Sequence, residues 1–183
     1  MFTSERNAIV IAIGAAALAA CASLPSAPGK PPALGTAVSA EEIARFDISI
    51  PPSGAGLPAG SGTVKQGAQV YAAKCLACHG EKGAGKPADA LVGGIGSLAT
   101  PKPVRTVGSY WPYATTLFDY TRRAMPITNP LSLTDDEVYA VSAYVLFLNG
   151  IIGEDAVMNA QTLPRVKMPN RDGFISDWPP RKL

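Results

Sequence analysis

Histidine and cysteine are almost absent from this sequence: one histidine and three cysteines occur in 183 residues. A structural zinc site takes four ligands, drawn mostly from Cys and His. Here it would consume the whole stock, Cys21 included. Charge is scarce as well. Asp, Glu, Lys and Arg make up 16% of the chain, the net charge is +2, and no basic run stands out. That balance argues against a nucleic-acid partner, which needs a clustered basic face. An apolar run long enough for a comfortable transmembrane helix is also missing. "AIVIAIGAAALAA", residues 8–20, has thirteen residues, which is the length of an export-signal core instead. No internal repeat is visible.

Glycine and proline are plentiful, at 18 and 17 residues. They suggest a small core domain with long irregular flanks. The apolar run ends in "LAAC", Leu18 to Cys21, which resembles the lipobox of bacterial lipoproteins. Residues 1–20 are then a lipoprotein-type signal peptide, and Cys21 is the lipidated residue that anchors the chain to a membrane. The alternative is ordinary secretory cleavage at the small residues "ACA". Both readings export the protein. It is expected on the periplasmic side of a bacterial membrane, lipid-anchored or otherwise soluble.

Residues 21–62 read as a Pro/Gly-rich tether and docking segment. A short helix is expected near 40–45, followed by an extended stretch, with Ile43, Phe46, Ile48 and Ile50 docking on the core. Val64, Ala68, Tyr71 and Ala72 fall at helical spacing and predict a helix over 63–75. Residues 80–108 are a glycine- and proline-rich loop, long enough that it should be functional or wrapped around something. A second helix is expected over 113–123, stopped by Pro126. Thr134 to Glu137 forms an S/T-x-x-E capping box, with Asp135 and Asp136 suited to the positive end of the helix dipole. The helix that follows carries an apolar stripe of Val138, Val141, Val145 and Leu148 and ends at Asn149-Gly150. Residues 63–150 are the expected core domain, and residues 151–183 a tail laid over its surface.

Two of the three cysteines and the only histidine are neighbours, in Cys75-x-x-Cys78-His79. Chance placement of that pattern has a probability on the order of a few in ten thousand, and the pattern is the attachment signature of c-type haem. Two thiols one helical turn apart reach the two vinyl groups on one porphyrin edge, and the next residue turns its imidazole under the iron. A redox dithiol does not need the adjacent histidine. One covalent haem c is therefore expected, with the porphyrin serving as core for the glycine-rich loop.

With no second histidine, the sixth iron ligand must be of another type. Met125, in "RRAMP" just before the last helix, is the candidate, with His79 on the other side of the iron. Met168 is the rival, and Met158 sits in the tail. Trp111, Tyr110 and Tyr113 are candidates for hydrogen bonds to a haem propionate or for core packing. Arg122 and Arg123 are candidates for a propionate pairing, a docking rim or a solvated face. The carbonyl of Pro87 is a candidate acceptor for the His79 Nδ1–H. Lys74, Lys82 and Lys86 are placed to steer an acidic partner.

Residues 63–149 resemble class I cytochromes c. Gly67, Tyr71 and Cys75 lie four apart, and in that family such a glycine and aromatic let the first helix cross the last one closely. The resemblance places Val141 and Tyr144 on the matching face of the last helix. It implies an all-α class I cytochrome c fold, here with long irregular N- and C-terminal extensions. "VGSYWPYATTLFDYTRRAMP", "SLTDDEVYAVSAYVL" and "LPRVKMPNRDGF" are also similar to the cytochrome subunit of the bacterial Sox sulfane dehydrogenase and to cytochrome partners of sulfite dehydrogenases. That likeness implies an electron-transfer protein rather than an enzyme. It would accept single electrons from a molybdopterin sulfite or sulfane dehydrogenase subunit and pass them to a downstream cytochrome or oxidase. Larger members of that family carry two haems, whereas this chain has one CxxCH. The other readings are a general respiratory carrier, a five-coordinate haem peroxidase or sensor, and a tethered module with haem as a staple.

Overall fold

Three capping boxes set where helices begin. The computed structural model describes residues 34–175. Of the described residues, those up to Ile43 fall in one unit and those from Ala44 on in a second. Helix α1, Ala40–Phe46, starts in the first. There the Glu42 N–H donates to Ser39 Oγ at 3.2 Å. The second unit is mostly helical. It contains strand β1 (Ser61–Thr63), helix α2 (Val64–Lys74), a single turn α3 (Leu76–His79), a short α4 (Val107–Tyr110), α5 (Ala114–Ala124), α6 (Asp135–Leu148) and strand β2 (Val157–Asn159). Reciprocal capping boxes open α2 at Thr63/Gln66, α4 at Thr106/Ser109 and α6 at Thr134/Glu137. Each satisfies two otherwise orphaned backbone donors.

Helix α6 is the centre of the fold. A single apolar stripe was the expectation from its sequence. Instead, Val138, Tyr139, Ala140, Val141, Ser142, Ala143, Val145 and Leu146 are all buried, so nearly every side of the helix is covered, as for a core helix rather than a surface one. Leu148 is only half-buried. Helix α2 packs against it so closely that a Cβ built on Gly67 would overlap the Ala140 carbonyl and lie 2.7 Å from Tyr144 Cβ. One turn on, the Tyr71 and Tyr144 rings meet at 5.3 Å. The close approach therefore falls on Ala140 and Tyr144; Val141 faces elsewhere, into the cavity described below. Helix α5 packs on another side, with Phe118 and Tyr139 rings 4.5 Å apart.

Two flanks differ from expectation. Of the residues expected to dock ahead of the core, Ile50 is buried, while Ile43 and Phe46 are exposed. Beside Ile50, which packs in the core, polar contacts tie this segment down. The Ile50 N–H donates to Asp119 Oδ1 at 2.9 Å, Tyr139 Oη donates to the Pro58 carbonyl at 2.9 Å, and the Ser61 N–H donates to Asp136 Oδ1 at 2.7 Å. The described part of the C-terminal tail is not a surface layer. Strand β2 pairs antiparallel with β1, Gly62 opposite Met158, and Met158, Leu163 and Met168 are buried in the main core. A three-residue strand and isolated buried side chains leave no periodicity to read.

Lys74, at the end of α2, donates to Glu137 Oε1 at 2.7 Å, tying α2 to the first turn of α6. The Lys74 hydrogen bond, and next the Thr134 N–H, hold the Glu137 carboxyl below its usual value of 4.5. A lowered carboxyl contributes stability that is present above the unfolded-state value and is lost as pH falls through the folded-state value. Glu137→Gln keeps an acceptor for the capping box and removes the charge. Because both side chains are partly exposed, the expected loss is less than about 1 kcal/mol at neutral pH. Denaturant titrations of the two proteins should converge as pH drops below 4.5. A gap that persists at acid pH would assign the effect to packing instead.

Candidate functional site

Helix α2 ends at Cys75, whose backbone leaves helical geometry at φ −123°. The chain restarts at once as the single turn α3, with the Cys78 and His79 N–H groups both donating to the Cys75 carbonyl, at 3.2 and 2.9 Å. The two thiols and the imidazole are thereby set on one turn. Cys75 is half-buried and Cys78 exposed; neither forms a disulfide. Burial pushes the Cys75 thiol up to about 11, with Cys78 adding to the effect and Lys74 opposing it. Tyr71 Oη donates to the Gly80 carbonyl at 2.8 Å and pins the residue after His79.

His79 Nδ1 lies 3.0 Å from the Asp89 carbonyl oxygen. A carbonyl only accepts, so the proton sits on Nδ1 and Nε2 is left as the basic ring nitrogen, the form that binds a metal. Pro87 was the expected source of this carbonyl. The loop arrives differently because the Ala88 N–H donates to the Cys78 carbonyl at 2.9 Å and the Gly85 N–H to the His79 carbonyl at 2.7 Å. With both ties made, the carbonyl two residues past Pro87 reaches the imidazole.

These groups open onto a cavity of about 540 Å³, within the usual range for small-molecule and cofactor sites. Its lining is mostly apolar, with Leu91, Leu117, Val141 and Val145 contributing. Cys75 enters it from the junction of α2 and α3, and Cys78 and His79 from α3; Trp111 enters it ahead of α5, Tyr120 from that helix and Met125 just after it. Met125 closes α5, its N–H donating to the Thr121 carbonyl at 3.1 Å. Met158 and Met168 lie in the core and do not line the cavity. Trp111 stacks edge-on against Tyr120 with centroids 5.6 Å apart.

The other sequence candidates lie elsewhere. Arg122, expected at the cofactor, is not on the cavity wall. Its Nε is 3.0 Å from Asp135 Oδ1, because the last turn of α5 faces the acidic first turn of α6. Arg123 pairs with Asp119. Tyr110 packs on Phe174, and Tyr113 lies under Arg171, whose guanidinium carbon is 4.3 Å from the ring centroid. Lys82 and Lys86 do not line the cavity. Cys21 lies outside the described residues. Among those residues no group of three or more His, Cys, Asp and Glu converges to hold a metal ion. The residues present do fit a haem: an apolar cavity, two thiols one turn apart, an imidazole whose Nε2 is left without the proton, and a thioether.

The model of a protein family described as cytochrome c oxidase, cbb3-type, subunit III matches residues 62–145, a span that takes in Cys75, Cys78, His79 and Met125. A chain in the crystal structure of the sulfane dehydrogenase SoxCD from Paracoccus pantotrophus is 40% identical, with a TM-score of 0.75 over 79% of this chain and 72% of that one. No curated protein matches.

Proposed function

The chain belongs to the cytochrome c family and is a haem c-binding electron-transfer protein; from that premise we propose that it is an exported, monohaem carrier serving a molybdenum-dependent sulfite or sulfane dehydrogenase subunit. The observation that carries the site is the convergence of Cys75, Cys78, His79 and Met125 on one apolar cavity. Bound haem supplies one-electron Fe(III)/Fe(II) exchange. Cys75 and Cys78 hold it covalently, which retains the cofactor in a small exported protein. His79 offers Nε2 to the metal, and its Nδ1–H stays on the Asp89 carbonyl. Met125 would hold the metal through its thioether, and such a ligand would favour a carrier over an open-site peroxidase or sensor. The aliphatic side chains of Leu117, Val141 and Val145 on α5 and α6 would shield the bound group from water on that side.

The 40% identity to a chain of a sulfane dehydrogenase supports sulfur oxidation as the process served. The "LAAC" segment supports export and a lipid anchor at Cys21. Among the described residues no helix is long and apolar enough to cross a membrane. The test mixes the oxidised protein with sulfite or sulfane sulfur in the presence of a copurifying molybdopterin subunit. Reduction of the haem spectrum is expected only when that subunit is present. No reduction removes the sulfur assignment and leaves a general respiratory carrier. A mass spectrum of the mature protein should show one haem adduct and a lipid on Cys21. Free thiols at 75 and 78 would overturn the covalent site.

A further inference from the structure

Asn149 ends α6, and its side chain is buried. It also joins that helix to the loop that carries the histidine's acceptor. Its Nδ2 donates to the Val145 carbonyl of its own helix at 2.9 Å and to the Leu91 carbonyl at 3.1 Å. Its Oδ1 accepts from the Gly93 N–H at 3.2 Å. Gly108 packs against it so tightly that a Cβ there would overlap Oδ1, which leaves the amide little freedom to turn. Leu91 stands two residues after Asp89, the residue whose carbonyl accepts from His79 Nδ1. On its other side the same segment is tied to the cysteine turn and the turn after it: the Ala88 N–H donates to the Cys78 carbonyl at 2.9 Å and the Leu91 N–H to the Gly83 carbonyl at 2.8 Å. The loop is thus stretched between the turn bearing His79 and the end of the core helix.

We propose that Asn149 is a positioning residue for the axial histidine: by clamping residues 91 and 93 to the end of α6 it holds the Asp89 carbonyl on His79 Nδ1. A hydrogen bond at Nδ1 raises the basicity of the ligating nitrogen, which favours the ferric state and lowers the potential. Removing the clamp leaves the Leu91 carbonyl and the Gly93 N–H without their partner in a partly buried loop, and the Asp89 carbonyl drifts from the ring. The proposal rests on haem ligation by His79 as set out above.

The chain has one histidine, so ¹⁵N-histidine labelling reports His79 alone. In reduced wild-type holoprotein the Nδ1–H is expected as a single, slowly exchanging signal with the shift of a metal-bound imidazole. Without that shift in the wild type, the ligation reading itself fails. In Asn149→Ala holoprotein the Nδ1–H should exchange at least tenfold faster. The midpoint potential should rise by the equivalent of a threefold change in the reduced-to-oxidised ratio, about 28 mV at 59 mV per tenfold. Leu146→Val, a change in the same helix that removes no hydrogen bond to residues 88–93, should lower stability and move neither quantity. If the alanine variant does not accumulate, Asn149→Gln reads the same effect. Its amide sits one methylene further out, so a smaller displacement in the same direction is expected. Wild-type exchange and wild-type potential in the variant isolated would overturn the proposal.

Discussion

On the proposed ligation, Met125→Ala should lower the midpoint potential of the holoprotein by on the order of 0.1 V or more, within the ~0.8 V over which axial ligands set haem potentials, and convert the ferric spectrum to that of an iron lacking a thioether. The physical reason is the softness of the ligand. A thioether stabilises ferrous over ferric iron, and Met125 is the methionine that lines the cavity among the described residues. It is half-buried at the end of α5, so the fold should survive its truncation. Met168→Ala supplies the contrast. That side chain is 3% exposed and sits in the main core, so its removal should cost about 2–5 kcal/mol of stability while the potential stays put. A spectroelectrochemical titration beside a denaturant titration separates the two. An unchanged spectrum and potential in Met125→Ala would end the carrier assignment and favour an open iron site.

Gly67→Ala should destabilise the protein by about 3 kcal/mol, the upper range for overpacking a core. Helix propensity alone predicts the opposite, a gain of about 1 kcal/mol for alanine over glycine in a helix interior. The packing effect wins because the new Cβ meets backbone, at the Ala140 carbonyl, rather than a side chain able to turn away. Ala140 cannot retreat either, since Gly62 of β1 presses on its backbone from the ribbon. Ala72→Gly, at an exposed position of the same helix, should lose about 1 kcal/mol on propensity alone. Chemical denaturation of both holoproteins checks the signs. A Gly67→Ala protein as stable as the wild type would mean that α2 and α6 do not cross as closely as described.

Local chemistry was legible in the residues themselves. Cys75, Cys78 and His79 are placed by one turn of backbone, and the capping box at Thr134 needs only a partner three residues on. A helix was expected over 63–75 and another over 113–123; they run Val64–Lys74 and Ala114–Ala124. Such signals survive in a linear reading because the interacting groups are covalently close. Arg122 shows the limit. Its partner, Asp135, is neighbouring in space but belongs to another helix, and that pairing withdraws it from the cavity.

What the sequence determined by itself was the chemistry on offer: a thiol pair with an imidazole, three later methionines, and the ends of the main helices. Only the tertiary structure decided which methionine reaches the cavity, which carbonyl holds the histidine, and that the tail supplies Met158, Leu163 and Met168 to the core. Those choices join residues far apart in the chain, and side-chain packing around α6 selects among partners that a linear pattern leaves equivalent.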